Sequence, residues 1–422
     1  MVRVRIAPSP TGFAHVGTAY TAMFNYAFAR KNKGRFIIRI EDTDVKRHVK
    51  EAEKAIYGGL SWLGIDWDEG PDKSGKYGPY RQSEKLGIYK DIAYALIKKG
   101  MAYKEGRAIR FKNPGKRVSW NDLIKGKISF SGGQITDFVI LKSDGYPTYN
   151  FAAAVDDLAM KITHVIRGEE HVSNTPRQIA IYRALEEKPP EFAHNPTLRN
   201  KKRQKLSKRR DPVDLGLYKE KGFLPEALVN YLCLLGWSHP DEKEIFDLKE
   251  FVKLFSLDRV RKAGPIFDMT KLEWMNGEYI RAADNEELVS KIYAFYNEKY
   301  SKEKIGEIVP LIKDRIKTLG EFDSLAGFFF KSSEVDKSMF GKDSKKHLKQ
   351  AFDVLEKIGK WEKKEIDDSL LNLIKKEKFH TGKFFMDLRI AITGSKVTPP
   401  INDSLIILGK EETIKRLKKT VD

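Results

Sequence analysis

Residues 2–6 read VRVRI, residues 7–18 read APSPTGFAHVGT, and residues 35–44 read RFIIRIEDTD. Val2, Val4 and Ile6 alternate with Arg3 and Arg5, the period of two expected of a strand. Pro8, Ser9, Pro10, Thr11 and Gly12 then break the chain. Ala19, Met23, Ala27 and Phe28 recur at helical spacing over residues 16–31, and Gly34 is a fitting stop. A second strand is expected over residues 36–40, followed directly by Glu41-Asp42-Thr43-Asp44. Strand, loop, helix, strand is a βαβ unit, so the fold is expected to begin as a parallel nucleotide-binding sheet. Ligands of such sheets sit beyond the carboxyl ends of the strands, where residues 7–18 and 41–44 would lie.

Working outward, residues 66–80 (DWDEGPDKSGKYGPY) are rich in Gly, Pro and Asp and read as a long functional loop. Residues 101–136 are basic and turn-rich and read as an insertion. Strand signals resume at 138–141 and 163–166. Residues 199–210, RNKKRQKLSKRR, hold eight basic and no acidic residues. From about 215 onward the pattern is mostly helical, and the last hundred residues have a lysine-rich texture suited to a separate helical domain.

The 422 residues allow several domains. Lys and Arg number 78 against 59 Asp and Glu, a formal charge of +19 that favours a polyanion such as nucleic acid as partner. The single cysteine, Cys233, excludes an internal disulfide framework, a thiolate zinc site and an iron–sulfur cluster. No apolar run reaches the ~20 residues of a membrane span, and MVRVRIAPSP lacks the apolar stretch of a secretory signal. A cytoplasmic protein is expected.

Three groups of residues could carry chemistry. Ala14-His15-Val16-Gly17-Thr18 opens a helix, whose N–H groups and partial positive charge suit phosphate. A histidine there can donate to charge developing on phosphorus. In Lys205-Leu206-Ser207-Lys208-Arg209, two lysines three apart can both reach a triphosphate; a solvated basic face is the plainer alternative. Arg5, Glu41 and Arg167 would approach one sheet end, where arginine forks suit a carboxylate and a glutamate suits an ammonium, the pattern of a pocket for an acidic amino acid; any one of them alone could equally be a rim salt bridge. A near match to a phosphate loop, Gly70 to Gly75-Lys76, ends in Tyr77 where magnesium needs Ser or Thr, and is set aside.

Taken together the chain resembles bacterial-type glutamyl-tRNA synthetase, a class I aminoacyl-tRNA synthetase, along essentially its whole length. The resemblance rests on RVRIAPSPTG at 3–12, His15-Val16-Gly17-Thr18 as a form of the "HIGH" signature, RIEDTD at 39–44 and GPYRQS at 78–83. It continues in DGYPTY at 144–149, HVIRGEE at 164–170, Lys205-Leu206-Ser207-Lys208-Arg209 as the "KMSKS" loop, LPEAL at 224–228, and Trp274-Met275-Asn276-Gly277.

The resemblance implies an α/β fold. A Rossmann-type parallel-sheet catalytic domain would span 1–80 and 137–195, with an inserted acceptor-end-binding subdomain at 81–136. A "KMSKS" loop and stem-contact domain would span 196–309, and an α-helical anticodon-binding domain 310–422. It implies ATP-dependent attachment of glutamate to tRNA through a glutamyl adenylate. His15, Lys205 and Lys208 would be catalytic. Ser9, His15, Gly17, Thr18, Glu170, Thr197, Leu198, Lys205, Ser207 and Lys208 would hold ATP. Arg5, Ala7, Ser9, Glu41, Tyr149 and Arg167 would hold glutamate, with His171 beside Glu170 lining the same site. Asp44 would lie near the acceptor end. ATP would enter with Mg2+, with no zinc and no dedicated metal ligand. The partners would be tRNA(Glu), L-glutamate and ATP, with charging of tRNA(Gln) left open, no membrane contact, and a monomer expected. Ala153 stands where some members carry a pocket asparagine. A non-catalytic RNA-binding relative is disfavoured by the intact set His15, Lys205, Lys208, Arg5, Glu41 and Arg167. A glutamine-specific enzyme is disfavoured by the His-Val-Gly-Thr form and the helical C-terminal region.

Overall fold

The computed structural model describes residues 1–10, 12–44, 51–207, 210–332 and 334–421. Two compact units arise, Met1–Lys219 with Pro225–Leu272, and Glu220–Leu224 with Glu273–Asp422. The four-part division expected from the sequence is finer than this, and the boundary between the units falls inside its third part.

The first unit opens with β1 (Arg3–Ile6), α1 (Val16–Lys31) and β2 (Arg35–Ile38). β1 and β2 run parallel, Arg3 opposite Arg35 and Ile6 opposite Ile38. The expected βαβ unit is present. The second strand stops at Ile38, and Ile40 continues only as an isolated parallel bridge to Arg81. The Val/Arg alternation of β1 does not mark a solvent face, because Arg3 and Arg5 are as buried as Val4 and Ile6. Arg3 forks onto Glu69 at 2.7 and 2.9 Å, and Tyr80 also donates to that carboxylate. The loop at 66–80 is therefore anchored in the sheet. Gly34 is needed where α1 turns into β2: a Cβ there would sit 2.5 Å from the Val2 carbonyl oxygen.

Next come α2 (Ala52–Trp62), α3 (Leu86–Lys98), β3 (Ala102–Glu105), β4 (Ala108–Phe111), β5 (Val118–Asp122), β6 (Gly126–Phe130) and β7 (Phe138–Leu141). The basic insertion is thus built of antiparallel hairpins. β7 pairs with β4, not with the parallel strands, and completes the sheet β3-β4-β7. Tyr89, Phe111 and Phe151 anchor the apolar cluster beneath it.

α4 (Tyr149–Ala159), β8 (His164–Gly168), α5 (Thr175–Ala184) and β9 (Glu191–Asn195) follow, with β8 and β9 parallel. Thr163 N donates to Arg3 O (2.9 Å) and Arg3 N to Thr163 Oγ1 (2.9 Å), which sets β8 beside β1. The carboxyl ends of β1, β2, β8 and β9 therefore converge. α6 (Leu215–Glu220), α7 (Pro225–Gly236) and α8 (Leu248–Leu254) come next, and α9 (Met269–Ala282) starts in the first unit and continues from Glu273 in the second.

The second unit is helical among the described residues: α10 (Asn285–Phe295), α11 (Lys302–Ile312), α12 (Glu321–Ala326), α13 (Ser344–Lys357), α14 (Lys363–Glu377), α15 (Thr381–Thr393), α16 (Ile401–Leu408) and α17 (Lys410–Val421). Leu348, Leu370, Phe384, Leu405 and Leu417 form its core. Gly394, in the left-handed conformation (φ 71°), ends α15. Among the described residues no helix is long and apolar enough to cross a membrane.

Candidate active site

A cavity of about 480 Å³ opens where the parallel strands end. Each segment singled out in the sequence for chemistry contributes to its wall, from residues far apart along the chain.

On one side stands the start of α1. His15 is its N-cap, in extended conformation, and its Nδ1 accepts from Gly17 N at 2.9 Å. The neutral ring then carries its proton on Nε2. Gly17 allows this fold-back, since a Cβ there would lie 3.0 Å from Nδ1. Val16 N donates to Val213 O at 2.7 Å. The expected row of free amides at this helix end is thus partly used up; the cavity receives the His15 ring, Gly17 and Thr18 instead.

Facing it is the basic loop. Lys205 Nζ meets Glu170 Oε1 at 2.7 Å, and Thr197 Oγ1 donates to Glu170 Oε2 at 3.2 Å. Burial raises the Glu170 pKa, but the Lys205 hydrogen bond, a backbone amide and the nearby Lys205 charge together outweigh it and leave the carboxyl below its usual range. Leu206 N donates to Leu198 O at 3.1 Å, which ties the loop to the strip Thr197-Leu198 that lines the cavity.

The floor holds two buried arginines in contrasting states. Arg5 forks onto Asp157 at 2.9 and 3.1 Å. Asp157 also receives Arg39 NH1 at 2.5 Å. Burial pushes the Asp157 carboxyl up, yet the adjacent Arg39 and Arg5 hold it at about 2. Arg167 by contrast has neutral partners, His194 Nε2 (3.2 Å) and Thr175 Oγ1 (2.8 Å), with Tyr149 OH at 3.5 Å. Among the described residues no carboxylate pairs with it, and burial lowers its pKa. Burial lowers His171 to about 4, with Arg167 adding to the shift, so that ring is neutral too. Glu41 accepts from Arg39 at 3.2 Å, and burial raises its pKa.

Ala7, Ser9, Glu41, Tyr149, Glu170, Thr197 and Leu198 also line this cavity, as expected. Ser207 does not: its amide donates to Asp211 (2.9 Å) and its hydroxyl accepts from Arg210 (3.3 Å). Asp44 is exposed and outside the lining. Lys208 lies outside the described residues, as do Thr11 and Arg209. Ala153 is fully buried in α4 and does not reach the cavity. Sequence reasoning missed Arg39, Asp122, Asp156, Asp157, Thr175 and His194. The signals for any of them were Arg39 at the head of the quoted RIEDTD and the pair Asp156-Asp157 closing the apolar run FAAAV. Among the described residues no group of three or more His, Cys, Asp or Glu is arranged to hold a metal ion.

The family model for the class I tRNA synthetase (E and Q) catalytic domain matches residues 1–108 and 104–274, and that for an anticodon-binding domain matches 281–421. The chain therefore belongs to the class I tRNA synthetases, and within them to the E and Q group. It is 41% identical to glutamate–tRNA ligase 1 of Pseudothermotoga lettingae, over 99% of each chain. It is 42% identical to glutamate–tRNA ligase 2 of Thermosipho melanesiensis, over 100% of this chain and 98% of that one. Its fold is similar to the crystal structure of a glutamate tRNA ligase from Elizabethkingia meningosepticum in complex with its amino acid. There the TM-score is 0.87 at 33% identity, over 100% of this chain and 99% of that one.

Proposed function

We propose that this chain attaches L-glutamate to the 3′ end of tRNA(Glu) by way of glutamyl adenylate, in protein synthesis. The observation that carries the reading is Arg167, a guanidinium buried in the cavity wall without an acidic partner among the described residues. A buried cation of this kind is costly until an anion reaches it, and the side-chain carboxylate of glutamate supplies one in fork geometry. Glutamine would bring a neutral amide and leave the cation unpaired. The names of the three similar proteins given above, each a glutamate–tRNA ligase, support the same substrate.

In this proposal Arg5, Ala7, Ser9, Glu41, Tyr149 and Arg167 hold glutamate. Ser9, His15, Gly17, Thr18, Glu170, Thr197, Leu198 and Lys205 hold ATP, which enters as its Mg2+ complex. The glutamate α-carboxylate attacks the α-phosphorus. The bond to the bridging oxygen breaks and pyrophosphate leaves. His15 and Lys205 stabilise the charge that grows on the phosphates, and Lys208 and Ser207 belong to the same loop. The terminal ribose hydroxyl of tRNA then attacks the anhydride carbonyl, and AMP departs. The protein acts by alignment and electrostatics and needs no nucleophile of its own. Asp44 is assigned to the neighbourhood of the acceptor end, and the four-segment division of the chain is kept. A cytoplasmic monomer is proposed.

The test is glutamate-dependent ATP–pyrophosphate exchange with Mg2+ and tRNA(Glu) present. Exchange with glutamate and none with glutamine is expected. No exchange by folded protein refutes the reading. Charging purified tRNA(Glu) and tRNA(Gln) in parallel decides whether the second tRNA is also a substrate.

A further inference from the structure

Arg167 is oriented by a chain of buried groups that the proposed chemistry does not use. Its Nε donates to His194 Nε2 at 3.2 Å and its NH2 to Thr175 Oγ1 at 2.8 Å. A ring nitrogen that accepts a hydrogen bond carries no proton, so neutral His194 is protonated at Nδ1. That Nδ1 lies 2.5 Å from Asp122 Oδ2. The other carboxylate oxygen, Oδ1, accepts three backbone amides, from Ile124 (3.1 Å), Lys125 (2.9 Å) and His194 (3.1 Å). Asp122, His194 and Arg167 are all buried. Burial raises the Asp122 carboxyl, but His194 and the amides bring it down to about 2, so it stays ionised. Asp122 ends β5 in the inserted hairpins, while His194 sits in β9 of the parallel sheet.

We infer that Asp122 is a positioning residue for glutamate recognition: by holding the His194 proton on Nδ1 it keeps Nε2 as the acceptor that aims the Arg167 guanidinium into the cavity. This rests on the reading that Arg167 receives the glutamate side chain. With the opposite tautomer, an Nε2–H would face the Arg167 Nε–H, donor against donor; Thr175 Oγ1, also 3.2 Å from Nε2, could accept that proton, but Arg167 Nε would lose its acceptor and its aim. The inserted hairpin thereby sets the geometry of the amino-acid pocket through two buried hydrogen bonds.

Asp122→Asn tests this with almost no change in volume. Its carbonyl oxygen stays with the three amides, so its NH2 takes the place of Oδ2 and donates to His194 Nδ1. The ring proton is then driven to Nε2. The expected result is a KM for glutamate raised about 10–100-fold, the size of leaving one buried charged donor unpaired. KM for ATP should be unchanged, while the melting temperature falls with loss of the ionised carboxylate, whose pKa folding depresses. His194→Gln can present its amide carbonyl to Arg167 without help from Asp122, so on that background Asp122→Asn should have no further effect. An unchanged KM for glutamate in Asp122→Asn overturns the inference. So does a joint rise in both KM values, or an additive double variant. Absence of any glutamate-dependent exchange by the unaltered protein is a separate failure, which overturns the substrate reading and this inference with it.

Discussion

Lys205 Nζ lies 2.7 Å from Glu170 Oε1 at the mouth of the cavity, with the two side chains 60% and 40% exposed. An ion pair this open to water contributes under about 1 kcal/mol, so phosphate oxygens can replace the carboxylate at small cost. Lys205→Ala should therefore leave the melting temperature unchanged. It should lower the pyrophosphate-exchange rate about 10²–10³-fold, as for loss of one preorganised donor. An unaltered rate would remove Lys205 from the mechanism.

His15 has two jobs that substitution can separate. Its Nδ1 caps α1, and its ring faces the cavity. His15→Ala should cost about 1 kcal/mol of stability for the cap and about 10²–10³-fold in exchange rate. His15→Asn, a good cap without an imidazole, should recover the stability in denaturant titration but not the rate.

Arg167→Gln should lower kcat/KM for glutamate about 10²–10⁴-fold, corresponding to the ~3–5 kcal/mol typical of breaking a buried ion pair. Saturating glutamate should raise the melting temperature of the unaltered protein, by about 2.7 kcal/mol of linkage at a hundredfold excess over Kd. Calorimetry of Arg167→Gln at the same concentration should show no shift; an equal shift would mean that glutamate binds elsewhere.

Asp157 gives the acid limb of stability a definite direction. Its carboxyl stands at about 2 in the folded protein, below the unfolded value of about 3.9. A pKa depressed by folding contributes stability that is fully present above pH ~4 and is lost as pH falls through the folded value, about 2–3 kcal/mol in all. Asp122 acts in the same window. Glu41, whose pKa burial raises, acts with the opposite sign and at higher pH: stability rises as it protonates, a gain complete by about pH 4, before the Asp157 loss sets in. Denaturation midpoints of Asp157→Asn should fall less steeply between about pH 4 and 2. At neutral pH the variant should be about 3–5 kcal/mol less stable, because Arg39 and Arg5 lose their shared anion.

The formal charge of +19 predicts tRNA binding that weakens steeply with salt. A plot of log affinity against log salt should be linear, with a slope of about −0.7 to −0.9 for each phosphate neutralised. A flat plot would contradict phosphate contacts as the source of affinity.

The β1–α1–β2 entry was legible because its signals are local: a two-residue alternation, a helical spacing and a glycine stop. The same alternation misleads about solvent, since Arg3 and Arg5 are buried against Glu69 and Asp157. Those partners lie 66 and 152 residues away, and no local pattern connects them. The cavity residues were legible mostly through motifs, and Arg5, His15, Glu41, Arg167 and Lys205 do meet. His194 and Asp122 were not, because a residue that acts through another leaves no spacing to read. Residues 66–80 look like a loop built for function; their visible work is to hold Glu69 against Arg3.

That Glu69 anchor also bears on where the polypeptide tolerates added length. Arg3 and Tyr80 both converge on Glu69, so lengthening the chain between residues 69 and 80 would draw on the sheet rather than on open surface. A tag or reporter is better placed at the β3–β4 turn, where Gly106 has a positive φ of 61° and a Cβ would meet nothing within 4 Å.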